Sequence, residues 1–153
     1  MPTPAKLIAA LALIAAAVAT VRVATEHAMP DARAVPAAQL VAGSLALLLG
    51  WTTVGRAASK AGASRVPVVH VMSTGAAAAV IVAVATLTVA VAWDVMDAAL
   101  SGMMRDPSRA PSVFLDQLAR RGRQVLEPAV VATLLGGGAL AGLAAAVGGR
   151  MWR

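Results

Sequence analysis

The chain has 153 residues, with no cysteine, no tyrosine and a single phenylalanine. Without cysteine there are no disulfides, no thiolate metal centres and no thiol redox chemistry. Charge is scarce as well, at 13% of residues, against about 25% in a soluble domain. So few polar groups cannot clothe a water-facing shell, which excludes a soluble globular enzyme. No P-loop, GxSxG or HExxH motif occurs. With no acid–base or metal constellation either, the chain is read as non-enzymatic. No catalytic, cofactor-binding or metal-binding residue is assigned, and no cofactor is expected.

What is abundant is apolar. Hydrophobic residues make up 59% of the chain, and the mean hydropathy is +0.79. This excess excludes disorder and points to a small all-α integral membrane protein in one domain. The lipid bilayer is then its first partner. The net charge of +6 fits loops at an anionic membrane surface better than nucleic-acid binding.

Charged residues punctuate the chain. Leu7–Val21, Ala34–Gly55, Val66–Trp93 and Pro128–Gly149 carry no charge. A helix rises about 1.5 Å per residue and the hydrocarbon layer is about 30 Å thick. Four transmembrane helices are therefore expected, over about 7–25, 34–55, 67–93 and 128–149. Lys6 and Arg22 snorkel from the short first block. That block also resembles a signal peptide, with Ala17-Val18-Ala19 as a cleavage-like site, but it is read as a first span. Strands of a β-barrel would be about ten residues long and alternating, which these blocks are not. Trp51, Trp93 and Trp152 fall near block ends, where indole rings prefer the headgroup level.

Four spans put both termini on one side. That side carries Lys6, Arg56, Lys60, Arg65, Arg150 and Arg153 and no acid, whereas all seven acids fall on the other side. A count of bases alone, six against seven, does not orient the chain. The segregation of acid favours the all-basic side facing the cytoplasm, with N and C termini inside, in a bacterial inner membrane.

The 94–127 connection is the one long polar stretch. Its 112–127 segment is expected to form an amphipathic helix, either in the membrane interface or packed on the span ends. Phe114, Leu115, Leu118, Val125 and Leu126 fall near one face; Asp116, Arg120, Arg123 and Gln124 fall on the other. Asp116 and Arg120 have the spacing of an i,i+4 pair.

Small residues recur at close-packing intervals: Gly138, Gly142 and Ala146; Gly75, Ala79 and Ala83; Ala12, Ala16 and Thr20. They suit contacts within a bundle, or contacts that build a homo-oligomer or a larger membrane complex. No span has an ionisable group in its middle, so an ion-coupled transporter lacks its carrier. A pore would need Ser73, Thr74, Thr86 and Thr88 in an oligomer. Arg22 and Asp94 share a membrane side and are either a pair or two separate anchors. His27-Ala28-Met29 and His70-Val71-Met72 are His-x-Met units with soft-metal character, but they belong to opposite sides. His27, Met29, Met103 and Met104 make the only conceivable outer patch, and interfacial anchoring is the plainer role.

The two ends and the close of the second block resemble one family. Met-Pro-Thr-Pro-Ala-Lys-Leu-Ile-Ala-Ala at 1–10, Leu49-Gly50-Trp51 with Val54-Gly55-Arg56, and Ala132–Gly138 through Ala141-Gly142-Leu143 to Arg150-Met151-Trp152-Arg153 carry the likeness. They are similar to the TrgA family of bacterial membrane proteins linked to tellurium resistance. Thr52 stands where that family has arginine, and the family's Arg-Arg-Tyr-Asp-Gly cluster is replaced by Met104-Arg105-Asp106-Pro107. The resemblance implies a role in tellurite or oxyanion tolerance, with no reaction and no site residues to carry over. The alternative is an accessory or assembly subunit of a respiratory or photosynthetic membrane complex.

Overall fold

The computed structural model describes residues 4–27, 35–63, 67–102 and 106–151. Its elements are α1 (Pro4–His27), α2 (Val35–Leu49), a π-helical segment (Gly50–Val54), α3 (Gly55–Ala63), α4 (Val68–Leu100), a 3₁₀ turn (Pro107–Arg109), α5 (Ala110–Val125) and α6 (Pro128–Met151). No strand occurs among the described residues. Four stretches are long and apolar enough to cross a membrane: Pro4–Glu26, Ala38–Lys60, Val68–Leu100 and Pro128–Met151. The chain is an all-α membrane protein.

Proline sets the starts. Pro4 and Pro128 open α1 and α6, where a missing N–H and a fixed φ cost nothing. Pro67 stands just before α4 in an extended conformation, φ −63° and ψ 139°. The valine-rich stretch inside α4 is helical, because a chain in lipid must satisfy its own backbone. At the other end of α4 the Ser101 amide donates to the Asp97 carbonyl at 2.9 Å. Gly102 follows with φ +73°, a left-handed stop that glycine adopts without strain.

All four long helices outrun the charge punctuation, two of them by about two turns. The second continues through the π segment into α3 and ends at Ala63, and α4 continues to Leu100. Trp51 and Trp93 thus lie within helices and not at their ends. At about 1.5 Å per residue α4 is roughly 50 Å long, well beyond the hydrocarbon layer. An uncharged run measures the stretch that avoids water-facing charge; a helix ends only where its backbone is capped.

The four long helices form a ring in the order α1, α2, α4, α6, with neighbours in contact. α6 runs antiparallel to both its neighbours. Gly148 and Gly137 meet Ile8 and Ala16 of α1, and Gly142 and Gly138 meet Val71 and Gly75 of α4. The start of α1, the end of α6 and α3 therefore gather at one end of the bundle, the terminal end. α5 packs against α4 at the opposite end, the loop end.

The interior is made of small residues and the exterior of large ones. Ala9, Ala46, Ala58 and Ala145 are fully buried, whereas Leu11, Leu40, Ile81, Val84 and Leu140 are exposed. This is the reverse of a water-soluble bundle. It follows from a solvent as apolar as leucine, in which helices associate through backbone approach and not through hydrophobic expulsion. A Cβ on Gly138 would lie 2.7 Å from the Ala79 Cβ and 2.8 Å from the Gly75 carbonyl oxygen. The stripes headed by Gly75 and by Gly138 are thus turned on each other inside the chain. They are not surfaces left over for a second copy.

The π segment keeps a third face in line. Ala42, Ala46, Gly50, Val54 and Ala58 are all buried, at a strict interval of four. In a plain α-helix of 3.6 residues per turn such a row drifts around the axis. The wider π turn absorbs the drift. The Thr52 hydroxyl donates to the Leu48 carbonyl at 2.6 Å, and Thr53 donates to Leu49. Gly50 sits against α1, where a Cβ would come within 2.7 Å of the Ala10 Cα.

Candidate functional site

The loop end of the bundle carries a half-open cavity of about 120 Å³. α1 contributes Leu13, Ala17 and Thr20 to its wall; α2 contributes Ala38 and Ala42; α4 contributes Val82, Ala83, Thr86 and Ala90; α6 contributes Val130 and Leu134. The cause is local. Where α4 and α6 carry glycine they touch, and toward the loop end the residues facing the cavity are alanine, valine, leucine and threonine with no glycine among them. Ala79 to Ala90 covers about 16 Å of helix, so the cavity is elongated along the bundle.

α5 closes the loop end. Two of its residues, Arg121 and Val125, line the cavity. The half-buried positions of α5 include Val113, Phe114, Gln117, Leu118, Arg121 and Val125, one helical face at intervals of three and four. Phe114, Leu118 and Val125 are on the expected apolar face. Leu115 and Leu126 are not: they are 62% and 71% exposed. The face is centred about one residue from where the leucines alone place it, because Arg121 and Gln117 take inward positions. α5 begins at Ala110 and ends at Val125; Leu126 and Glu127 form the link to α6.

Arg121 is held by Asp94. Its Nη2 donates to Asp94 Oδ2 at 2.5 Å, with both side chains about one-third exposed. Asp94 therefore pairs across to α5 and not with Arg22, which is exposed. Asp97 lies one turn further along α4 and is also exposed. The expected Asp116–Arg120 pair is absent, and both residues are exposed; Arg121 pairs with Asp94 instead, and Arg109 with Asp106 at the solvent-facing surface.

Polar atoms inside the cavity are few. Thr20 is buried and its hydroxyl donates to the Ala16 carbonyl at 2.8 Å. Thr74, Thr88 and Thr133 make the same bond to a carbonyl four residues back, and Ser73 donates to His70. Thr86 does not. It is 7% exposed, its Oγ1 is closed off from water, and it has no hydrogen-bond partner. A buried hydroxyl without a partner costs about 1–3 kcal/mol. Of the four residues named for an oligomeric pore, only Thr86 is buried. They do not share a surface.

Among the described residues no group of three or more His, Asp or Glu side chains is placed to hold a metal. His70 is exposed near the start of α4. Met29, Met103 and Met104 lie outside the described residues, as do the side chain of His27 and the tail from Trp152.

In the sequence the charged residues of this site look like span boundaries. The available signal was Arg121, an arginine placed seven residues after Phe114 and four before Val125, in the apolar stripe. Thr86 carried a second signal, two turns before Asp94 on the inward face of α4.

Comparison with protein-family models, curated proteins and solved structures returns no match to this chain. The likeness to the TrgA family therefore rests on the residues quoted for it.

Proposed function

We propose that this chain is a non-enzymatic membrane-embedded binding protein that holds an apolar, membrane-soluble molecule in its loop-end cavity. The observation that carries the reading is the cavity itself: elongated, walled by aliphatic side chains, and polar only at Thr20, Thr25, Thr86 and Arg121. Ligand sites are concave, mostly apolar and furnished with a few polar groups; this cavity has that composition, and its volume of about 120 Å³ limits it to a small guest. A small, multiply charged oxyanion suits such a wall poorly. On this reading the tellurite tolerance implied by the terminal motifs is indirect, exerted through a membrane component and not through capture of the anion.

The same reading takes the bilayer to be the bacterial inner membrane, with both termini cytoplasmic. The sorting of acids to the loop side supports that orientation. A role as an accessory subunit rested on free small-residue faces; with Gly75 and Gly138 buried against each other, that support is weaker.

The test is native mass spectrometry of the protein purified in mild detergent from its own membranes. One retained apolar molecule per chain is expected, lost when Ala83→Leu fills the cavity. An empty wild-type chain would overturn the binding role. Separately, unaltered tellurite sensitivity after deletion of the gene would remove the link to tolerance.

A further inference from the structure

α5 is held differently from the helices it covers. It has no buried residue, whereas each of the four long helices has several. It packs on α4 with Val113, Phe114 and Leu118 half-buried. Its tie to α4 is the partly exposed Arg121–Asp94 pair. Asp97, Asp116, Arg120 and Arg123 nearby are exposed, where solvent weakens their interactions.

Both ends of α5 adjoin breaks in the helical pattern. Gly102, at φ +73°, precedes it. Gly122 lies inside it, directly after Arg121. A Cβ there would meet nothing within 4 Å, so packing does not call for glycine; what glycine brings is a weak point in the helix. The turn that follows is irregular. The Leu126 amide donates to both Gly122 at 3.2 Å and Arg123 at 3.3 Å, and the Glu127 amide donates to Gln124 at 3.2 Å, a mixture of four- and three-residue spacing.

The observed position also carries a cost. Gln117 is one turn before Arg121 on the inward face, and its Oε1 is closed off from solvent with no hydrogen-bond partner. A buried acceptor left unpaired is disfavoured, and moving α5 outward lets water reach it. A half-buried apolar face and one ion pair therefore hold α5 down, and Gln117 opposes them. Arg121 is at once the tie and part of the cavity wall.

We infer that α5 is a gate for the loop-end cavity, latched by Arg121–Asp94 and hinged over 122–127; this rests on the binding role proposed above. Swinging the helix outward takes Arg121 from the wall, widens the half-open mouth and frees Gln117 Oε1. Val125, within the hinge, stays with the wall. Arg121 and Asp94 are positioning residues: they set how wide the mouth opens and are not ligands of the guest.

The experiment uses the full chain in mild detergent with a single cysteine at 83, in the cavity wall, and compares a small methanethiosulfonate with a fluorescein-sized maleimide. A cysteine at 145 is the control for general loosening, and helicity is checked for every variant. The small reagent is expected to react at 83 in every variant, and the bulky one slowly in the parent. Asp94→Asn or Arg121→Gln should speed the bulky reagent about fivefold, the scale of a partly exposed ion pair. Exchanging the charges, Asp94→Arg with Arg121→Asp, should return the rate toward the parent, which a merely structural pair would not require. Gly122→Ala, which stiffens the hinge, should slow the bulky reagent about threefold. Gln117→Met, which removes the unpaired acceptor, should slow it as well. A bulky-reagent rate that is the same in all these variants, or that rises at 145 together with 83, would overturn the gate and leave the cavity standing. Failure of the small reagent to reach 83 in any variant would overturn the cavity reading itself.

Discussion

The two halves of the bundle are built from the same alanine-rich helices and behave differently. At the terminal end α4 and α6 meet through Gly75, Gly138 and Gly142, α1 meets the second helix through Gly50, and α6 meets α1 through Gly148. At the loop end the same helices separate around a cavity, and α5 is tied over it to α4 by Arg121 and Asp94. A few glycines decide the difference. Where the Cβ is absent, backbones touch and dispersion contacts are complete; one or two turns further on, a row of methyl groups holds the helices apart.

The sharpest way to break the comparison is to place the same bulky residue in each half. Gly142→Leu would drive a side chain into the Val71 carbonyl and the Met72 Cα. It should destabilise the bundle by about 3 kcal/mol or more, read as a shift in detergent denaturation followed by circular dichroism. Removing the loop-end tie should matter less. Asp94→Asn and Arg121→Gln each lose one pair whose side chains are about one-third exposed, and a double-mutant cycle should give a coupling of about 1 kcal/mol. Thr86→Val removes an unpartnered hydroxyl from the ligand-free protein and should stabilise it by about 1 kcal/mol. Ala83→Leu, a leucine as large as the one at 142, enters empty space and should change stability by less than about 1 kcal/mol. If Gly142→Leu and Ala83→Leu cost the same, the two halves do not differ.

The spans were legible because lipid imposes a length and an apolar composition that water does not. The glycine spacing in the last two spans was legible too, since only small residues permit the approach. The ends of the helices were not. Trp93 and Asp94 mark where charge is tolerated, but the backbone of α4 runs on to a positive-φ glycine at 102. The π segment also escaped notice, although the buried row at intervals of four from Ala42 to Ala58 is its signature once burial is known. The cavity was least legible of all. A cavity is a property of the space between helices, and no residue encodes it alone. Arg121 in an apolar stripe is the clearer local hint, and it reads as an ordinary surface cation until Asp94 is brought beside it by the fold.

The absence of cysteine makes the decisive measurement simple. Single cysteines placed at 83, in the cavity wall, and at 145, in the closed terminal half, can be exposed in native membranes to a small membrane-permeant thiol reagent. The account predicts that the thiol at 83 reacts and that the thiol at 145 stays unreacted until the protein is unfolded. Equal reaction at both positions would contradict it.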